Sequence, residues 1–186
     1  VIRGLKNGAS PDWLSARLQA IGQRRINTLV DITNYISFDR GRPLHVYDVS
    51  RLSGTVTARA GQAGEKFTAL DEESYEIDEN DCVIADDKSV LGFGGVKGGL
   101  ESGANEARTE VLVESAWFEP IAIANTGRRH GIDSDARYRF EREVDPQSVL
   151  PGLDQAVQMI TQLCGGEVSS LIQAGDVPDN QQEIAF

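Results

Sequence analysis

The stretch DCVIADDKSVLGF, residues 81–93, sets two four-residue apolar runs, Cys82–Ala85 and Val90–Phe93, on either side of the polar turn DDKS. Apolar runs this short, broken by a cluster of Asp, Lys and Ser, read as neighbouring strands joined by a tight turn. Outward from it, TVTARA at 55–60, SYEID at 74–78 and TEVLVESAW at 109–117 have similar length and period-two alternation, with DEES and DENDC among the turns between them. The spacing predicts an antiparallel meander. Helical signals flank it. Ser10-Pro11-Asp12 predicts a helix start with a side-chain cap and proline at the first helical position, and Trp13, Leu14, Leu18 and Ile21 recur at helical spacing up to Gly22. Residues 28–38 are open: Leu29, Ile32 and Ile36 fit a helical stripe, and Gly41 and Pro43 end the segment. Glu119-Pro120 predicts a helix running toward Arg129. Asp145-Pro146 predicts another, striped by Leu150, Leu153, Val157, Ile160 and Leu163 and stopped by Gly165-Gly166. A last strand, EVSSLIQAG, precedes the polar stretch PDNQQ. Helices and strands in blocks, rather than alternating, predict an α+β fold of antiparallel, sandwich-like β-sheets with flanking helices. Residues 1–176 are expected to form one domain and 177–186 a linker.

Composition narrows the chemistry. The 186 residues suffice for one sizeable core, and 40% apolar with 25% charged residues is ordinary for a globular protein. No apolar run approaches the roughly 20 residues of a membrane span. The opening Val1-Ile2-Arg3, without Met, leads us to expect a segment of a longer polypeptide. Cys82 and Cys164, far apart in apolar patterns, read as buried thiols of a reducing compartment. A net charge of -11 argues against broad attachment to phosphate backbones, so DNA is not an expected partner and any RNA is held locally.

GFGGVKGGLES, residues 92–102, places five glycines in its first eight positions. Lys97 is followed by Gly98 rather than Ser or Thr, which excludes the phosphate-binding loop. Clustered glycine lets a backbone approach a ligand, and it also makes a bulged strand end with tight turns. Glu114 alternates onto the face of Leu112 and Ala116, where a carboxylate needs an arginine, backbone donors or a ligand hydroxyl. His45, in GRPLHVYD, follows a proline-constrained loop and is either a base or water-orienting group or a simple hydrogen-bonding residue. His130, in RRHG, reads as a cation at a helix C-terminus. The run RRHGIDSDARYRFEREVD balances five arginines with five acids, which reads as an internally paired loop. CxxC, HExxH and GxSxG patterns are all missing, so neither a metal hydrolase nor a common serine esterase is indicated.

Taken in order, VDITNYISFDRGRPLHVYD, GFGGVKGGLES, VLVESAWFEP, TGRRHGIDSDARYRFEREVDP and the helix ending in LCGG resemble the editing domain of the bacterial phenylalanyl-tRNA synthetase β subunit, over residues 4–179. The resemblance implies hydrolysis of tyrosine from mischarged tRNA(Phe), presented on its 3' CCA end, in a cytoplasmic ligase of two α and two β subunits. The synthetic site would lie in the α subunit, and ATP and Mg2+ would serve that enzyme without belonging to this portion. Family pocket residues carry over onto Thr33, Asn34, Pro43, His45, Gly94, Gly95, Glu114 and the segment Ser134-Asp135-Ala136. Glu114 would accept the tyrosyl hydroxyl, glycine at 94 and 95 would leave room for the ring, and His45 and Asn34 would position the water or the terminal adenosine. Gly94 stands where the family commonly has alanine, Lys97 where it has methionine and Glu143 where it has glycine. Two other readings compete: a structural or tRNA-docking module without hydrolytic competence, and a free-standing relative that edits in trans.

Overall fold

A computed structural model describes residues 1–100, 103, 109–176 and 178. In chain order it contains β1 (Ile2–Arg3), α1 (Asp12–Ala20), α2 (Thr28–Arg40), β2 (His45–Asp48), β3 (Thr57–Ala60), β4 (Lys66–Thr68), β5 (Ser74–Glu76), β6 (Cys82–Ala85) and β7 (Val90–Phe93). There follow β8 (Lys97–Gly98), β9 (Glu110–Glu114), α3 (Pro120–Arg129), α4 (Asp135–Phe140), α5 (Val149–Cys164) and β10 (Glu167–Val168), with 3₁₀ turns at Val49–Arg51 and Pro146–Ser148. The fold is α+β and every strand pair is antiparallel, as the block pattern predicts. None of the described helices is long and apolar enough to cross a membrane. Except for Pro178, the expected linker at 177–186 lies outside the described residues, as do Glu101 and Ser102 of the glycine loop.

The strands do not form one meander. They divide into a sheet ordered β10-β1-β9-β2, a second ordered β3-β6-β7-β8, and a separate β4-β5 hairpin. Strand β9 leaves its sequence neighbours and inserts between β1 and β2 because its two faces serve two cores. Val111 joins Ile2, Val46, Leu29, Ile32 and Ile160 in a core shared with α1, α2 and α5, and Val113 packs against it. Leu112 alternates to the opposite side, where Tyr47 of β2 meets Val83, Leu91 and Phe93 of the second sheet. The last strand is limited to two residues beside β1, and the rest of EVSSLIQAG carries no strand.

Local signals held where the pattern was strong and shifted where side chains found better partners. Residues 28–38 are helical: Asn27 caps α2 by accepting from Val30 N, and Leu29, Ile32 and Ile36 are fully buried. Ser10 does not cap α1. Its hydroxyl instead donates to Asp31 Oδ2 at 2.6 Å, Pro11 takes the cap position, and the helix buries Leu14 and Leu18 while Trp13 stays 45% exposed. Along α5 the fully buried stripe is Gly152, Ala156, Ile160 and Cys164; of the residues expected there Ile160 is in it, Val157 and Leu163 pack at its edge, and Leu150 is exposed. The run RRHGIDSDARYRFEREVD is not a plain loop, since α4 lies inside it, capped by Ser134. Its charges pair internally only in part: Arg137 with Glu141 at 3.0 Å, Arg139 with Asp135 at 3.4 Å and Arg142 with Glu141 at 2.7 Å, whereas Arg129 reaches outside the run to Asp78 and Asp81. Glu143, just after α4, has φ 69°, the region glycine enters most easily.

Arg42, between α2 and β2, fixes the approach to His45. Its side chain is fully buried, and it donates from Nε to Ser148 Oγ at 2.9 Å, from Nη1 to the Ala116 carbonyl at 2.5 Å, and from Nη2 to Ser148 Oγ and the Asp145 carbonyl. Burial lowers its guanidinium to about 10, against an opposing pull from Asp145. One cation thus ties the α2–β2 connection to the end of β9 and to the 3₁₀ turn before α5. Arg42→Ala strands these acceptors away from water, so we expect it to lower stability by roughly 2–4 kcal/mol, read as a fall in the urea midpoint with unchanged slope.

Candidate functional site

The glycine-rich stretch is a hairpin. Gly92 pairs with Gly98 and Phe93 with Lys97, and residues 94–96 make the turn, which Ser134 pins by donating from Oγ to the Val96 carbonyl at 2.6 Å. The expectation that side chains at 94 and 95 would fill ligand space is corrected by the direction their Cβ atoms would take. A Cβ on Gly94 would lie 2.8 Å from Phe118 Cε1 and 3.1 Å from Cys82 Sγ. On Gly95, at φ 66°, it would lie 2.8 Å from Phe118 Cδ2 and 3.0 Å from Phe140 Cδ2. Glycine is needed here so that the hairpin can lie against the aromatic core, and bare backbone then becomes one wall of a cavity. Gly98 does the same for His45: a Cβ would stand 2.6 Å from the imidazole Cε1.

That cavity is a small cleft open on one side, about 450 Å³ when the space of its open mouth is counted. Of the residues expected from sequence, Pro43, His45, Gly94, Gly95, Glu114 and Ala136 line it. Thr33, Asn34 and Ser134 are not among its lining residues. Thr33 is buried in α2 and donates to the Val30 carbonyl at 2.8 Å, Asn34 is half-buried on the same helix, and Ser134 caps α4 at the far side of the hairpin turn. Lys97 and Gly98 of the glycine loop line it too, and sequence reasoning missed Tyr47, Phe93 and Phe140 in the wall. For Tyr47 a signal existed, because in HVYD it alternates onto the same strand face as His45.

Strand register assembles the polar end of the cavity. His45 stands directly opposite Glu114 in the β2–β9 pair. Tyr47, two residues along and only 2% exposed, donates its hydroxyl to Glu114 Oε2 at 2.6 Å and meets the His45 ring edge-on with centroids 4.5 Å apart. Among the described residues no arginine pairs with Glu114 and no hydrogen bond reaches its Oε1; Tyr47 supplies the donor to Oε2. Burial raises the Glu114 carboxyl above its ordinary range, with the Tyr47 bond pulling the other way. Burial first, then the charge and bond of Glu114, hold the Tyr47 phenol well above 10, so it remains a donor at every physiological pH. Burial takes His45 down to about 4, and its Nε2 is buried without a hydrogen-bond partner. The imidazole is therefore neutral at pH 7, with one proton and one lone pair.

The remaining titratable groups are accounted for. Burial raises the Cys82 thiol, helped by Glu114 and Asp81, so it is no thiolate nucleophile at neutral pH. Lys97 does not point into solvent. Burial lowers it, but its bond to Asp71 and the neighbouring Tyr75 and Asp71 outweigh that and leave the ammonium above its usual value. His130 terminates α3, as expected, with Nε2 2.7 Å from Asp81 Oδ2. Among the described residues, no group of three or more His, Cys, Asp or Glu side chains is placed to hold a metal ion.

The profile of the B3/4 domain matches residues 1–165. Among curated proteins, the phenylalanine--tRNA ligase beta subunit of Nitrobacter winogradskyi is 51% identical over 186 residues, covering 100% of this chain and 23% of that protein. Those of Mesorhizobium japonicum and Rhodospirillum rubrum are each 53% identical, over 186 and 185 residues, covering 100% and 99% of this chain and 23% of each relative. The chain thus spans about a quarter of the length of these relatives.

The depressed imidazole has a signed consequence. Between about pH 4 and the ordinary value near 6.5, the unfolded chain binds a proton at residue 45 that the folded chain refuses. The stability tied to His45 is complete above pH 6.5 and is lost as pH falls toward 4. Glu114, raised by burial, has the opposite sign: folding favours its proton, and that contribution fades as pH rises through its folded value. We expect the His45 ring NMR shifts to stay flat from pH 8 to about 5.5. A mid-range titration near 6.5 would show that the ring is hydrated.

Proposed function

This chain belongs to the B3/4 domain family, and from that premise we propose that its cavity receives the tyrosyl group of mischarged tRNA(Phe) and directs hydrolysis of the ester. The observation that carries the reading is Glu114: a half-buried carboxylate on the cavity wall, bonded at one oxygen by Tyr47 and, among the described residues, unbonded at the other, beside Phe93, Phe140 and bare glycine backbone. An aromatic ring with a hydroxyl satisfies that oxygen. The same ring without a hydroxyl leaves it desolvated and unpaired, and sites built this way reject the lacking analogue by up to about 10⁴–10⁵. Its relatives are named phenylalanine--tRNA ligase beta subunits, so the discrimination needed, tyrosine against phenylalanine, is the one this geometry supports. Further parts of the reading come from the same kinship: an α subunit carrying the synthetic site, an assembly of two α and two β subunits in the cytoplasm, and ATP and Mg2+ acting outside this domain.

Hydrolysis breaks the bond between the tyrosyl carbonyl carbon and a ribose oxygen of the terminal adenosine. A water oxygen attacks that carbon, one of its protons is passed on, and the ribose oxygen leaves as a hydroxyl. The aminoacyl ester is already activated, so positioning the water supplies much of the rate. Neutral His45, a lining residue beside Glu114, is the group proposed to orient that water, although its Nε2 is buried here and an imidazole lowered to about 4 is a weak base. Thr33 and Asn34 lie outside the cavity wall, so their part would be with the adenosine.

Two substitutions in the complete synthetase test this. Glu114→Gln is expected to cut the preference for deacylating Tyr-tRNA(Phe) over Phe-tRNA(Phe) by about 10²-fold or more, and an unchanged preference refutes the reading. His45→Ala is expected to slow Tyr-tRNA(Phe) deacylation by about 10²-fold with the preference kept; a lost preference at full rate would place His45 at the ring end instead. A wholly structural or docking module would leave both rates at the spontaneous level before any substitution.

A further inference from the structure

We infer that Tyr47 is a specificity-determining residue of this cavity, because its phenol donates to one oxygen of Glu114, favours the carboxylate over the neutral acid and leaves a single acceptor for the ligand. The inference rests on the reading of the cavity given above and goes beyond it by assigning a role to a residue that does not need to touch the ligand. Tyr47 is 2% exposed, its hydroxyl lies 2.6 Å from Glu114 Oε2, and its ring is held between the edge of His45 and the core of the second sheet. It is therefore rigid and a permanent donor.

The consequence follows from what a buried carboxylate does when deprived of donors. It takes up a proton rather than remain charged in a dry site, and as a neutral acid it tolerates an apolar ring. With Tyr47 in place, that escape is opposed. A ligand ring with a hydroxyl completes the second oxygen, whereas a ring without one confronts a charge that has nowhere to discharge its unpaired acceptor. Removal of the Tyr47 hydroxyl should relax selectivity more than it weakens the cavity, since Phe fills nearly the same volume. The titratable groups facing Glu114 are His45 and Tyr47 from β2, Cys82 from β6 and Lys97 from β8. His45 is neutral above about pH 4, Cys82 and Tyr47 stay protonated, and Lys97 stays paired with Asp71. A change of selectivity between pH 5 and 8 therefore belongs to Glu114.

The test uses the complete synthetase with Tyr47→Phe, Glu114→Gln and the double variant, measuring deacylation of Tyr-tRNA(Phe) and Phe-tRNA(Phe) from pH 5 to 8. For Tyr47→Phe we expect the preference for the tyrosyl ester to fall about 10–100-fold at pH 7, and the pH at which half the preference is lost to rise by about one unit. In the Glu114→Gln background, where no charge needs holding, adding Tyr47→Phe should change the preference less than about 2-fold. If Tyr47→Phe leaves both the preference and its pH midpoint unchanged while Glu114→Gln abolishes the preference, the Tyr47 inference is wrong and the cavity reading stands. Equal losses from Tyr47→Phe in both backgrounds would mean that it acts by packing alone, which also overturns the inference. An unaltered preference in Glu114→Gln sinks the cavity reading, and the Tyr47 inference with it.

Discussion

A carboxylate drawn partly out of water needs donors to hold its charge, and the site is organised around that requirement at Glu114. The donor comes from Tyr47, one strand away and offset by two residues, so the bond exists only because β2 and β9 pair in the register that sets His45 against Glu114. The second acceptor is left without a donor among the described residues, in a cavity whose wall includes the bare backbone of Gly94, Gly95 and Gly98. Much of the rest of the chain serves to keep those two strands in that relation. Arg42 clamps the entry to β2 from beneath, the helical core packs on Val46, Val111 and Val113, and the second sheet presses on Tyr47 and Leu112.

Glycine enters this scheme through close approach. At 94 and 95 the hairpin backbone lies where any Cβ would run into Phe118 or Phe140, and at 98 where it would run into His45. The cavity is thus a by-product of backbone packed directly on aromatic rings, while His45, Tyr47 and Glu114 come from the other sheet.

What the sequence revealed and what it hid follow from the range of the interactions involved. The helices opened by Glu119-Pro120 and by Asp145-Pro146 and the strands around DDKS were legible because caps, proline and alternation act within a few residues. The departure of β9 from the meander was not, since choosing a partner strand depends on what the far face of each strand can bury. Helix α4 was hidden by reading its charges as a sum. Read by spacing, Asp135 with Arg139 and Arg137 with Glu141 are i, i+4 pairs behind a serine cap, a helical signature. His45 and Glu114 stood out as rare polar groups in apolar settings, but their bridging residue, Tyr47, looked like one more aromatic of the core. The purpose of Gly94 and Gly95 was beyond reach, because Phe118 and Phe140 come near them only in three dimensions.

The alternation along β2 and β9 carries one more implication. Odd and even positions of the same few residues answer to separate masters, Val46 and Val113 to the helices and His45, Tyr47 and Glu114 to the cavity. A slip of one residue between the strands would exchange these sets, turning polar groups into the helical core and valines into the cavity. Mispairing of that kind would not yield a poorer catalyst graded by degree, but a chain unable to close either core. Quality control over the chain's own folding and the chemistry proposed for its cavity are thereby enforced by a single geometric choice.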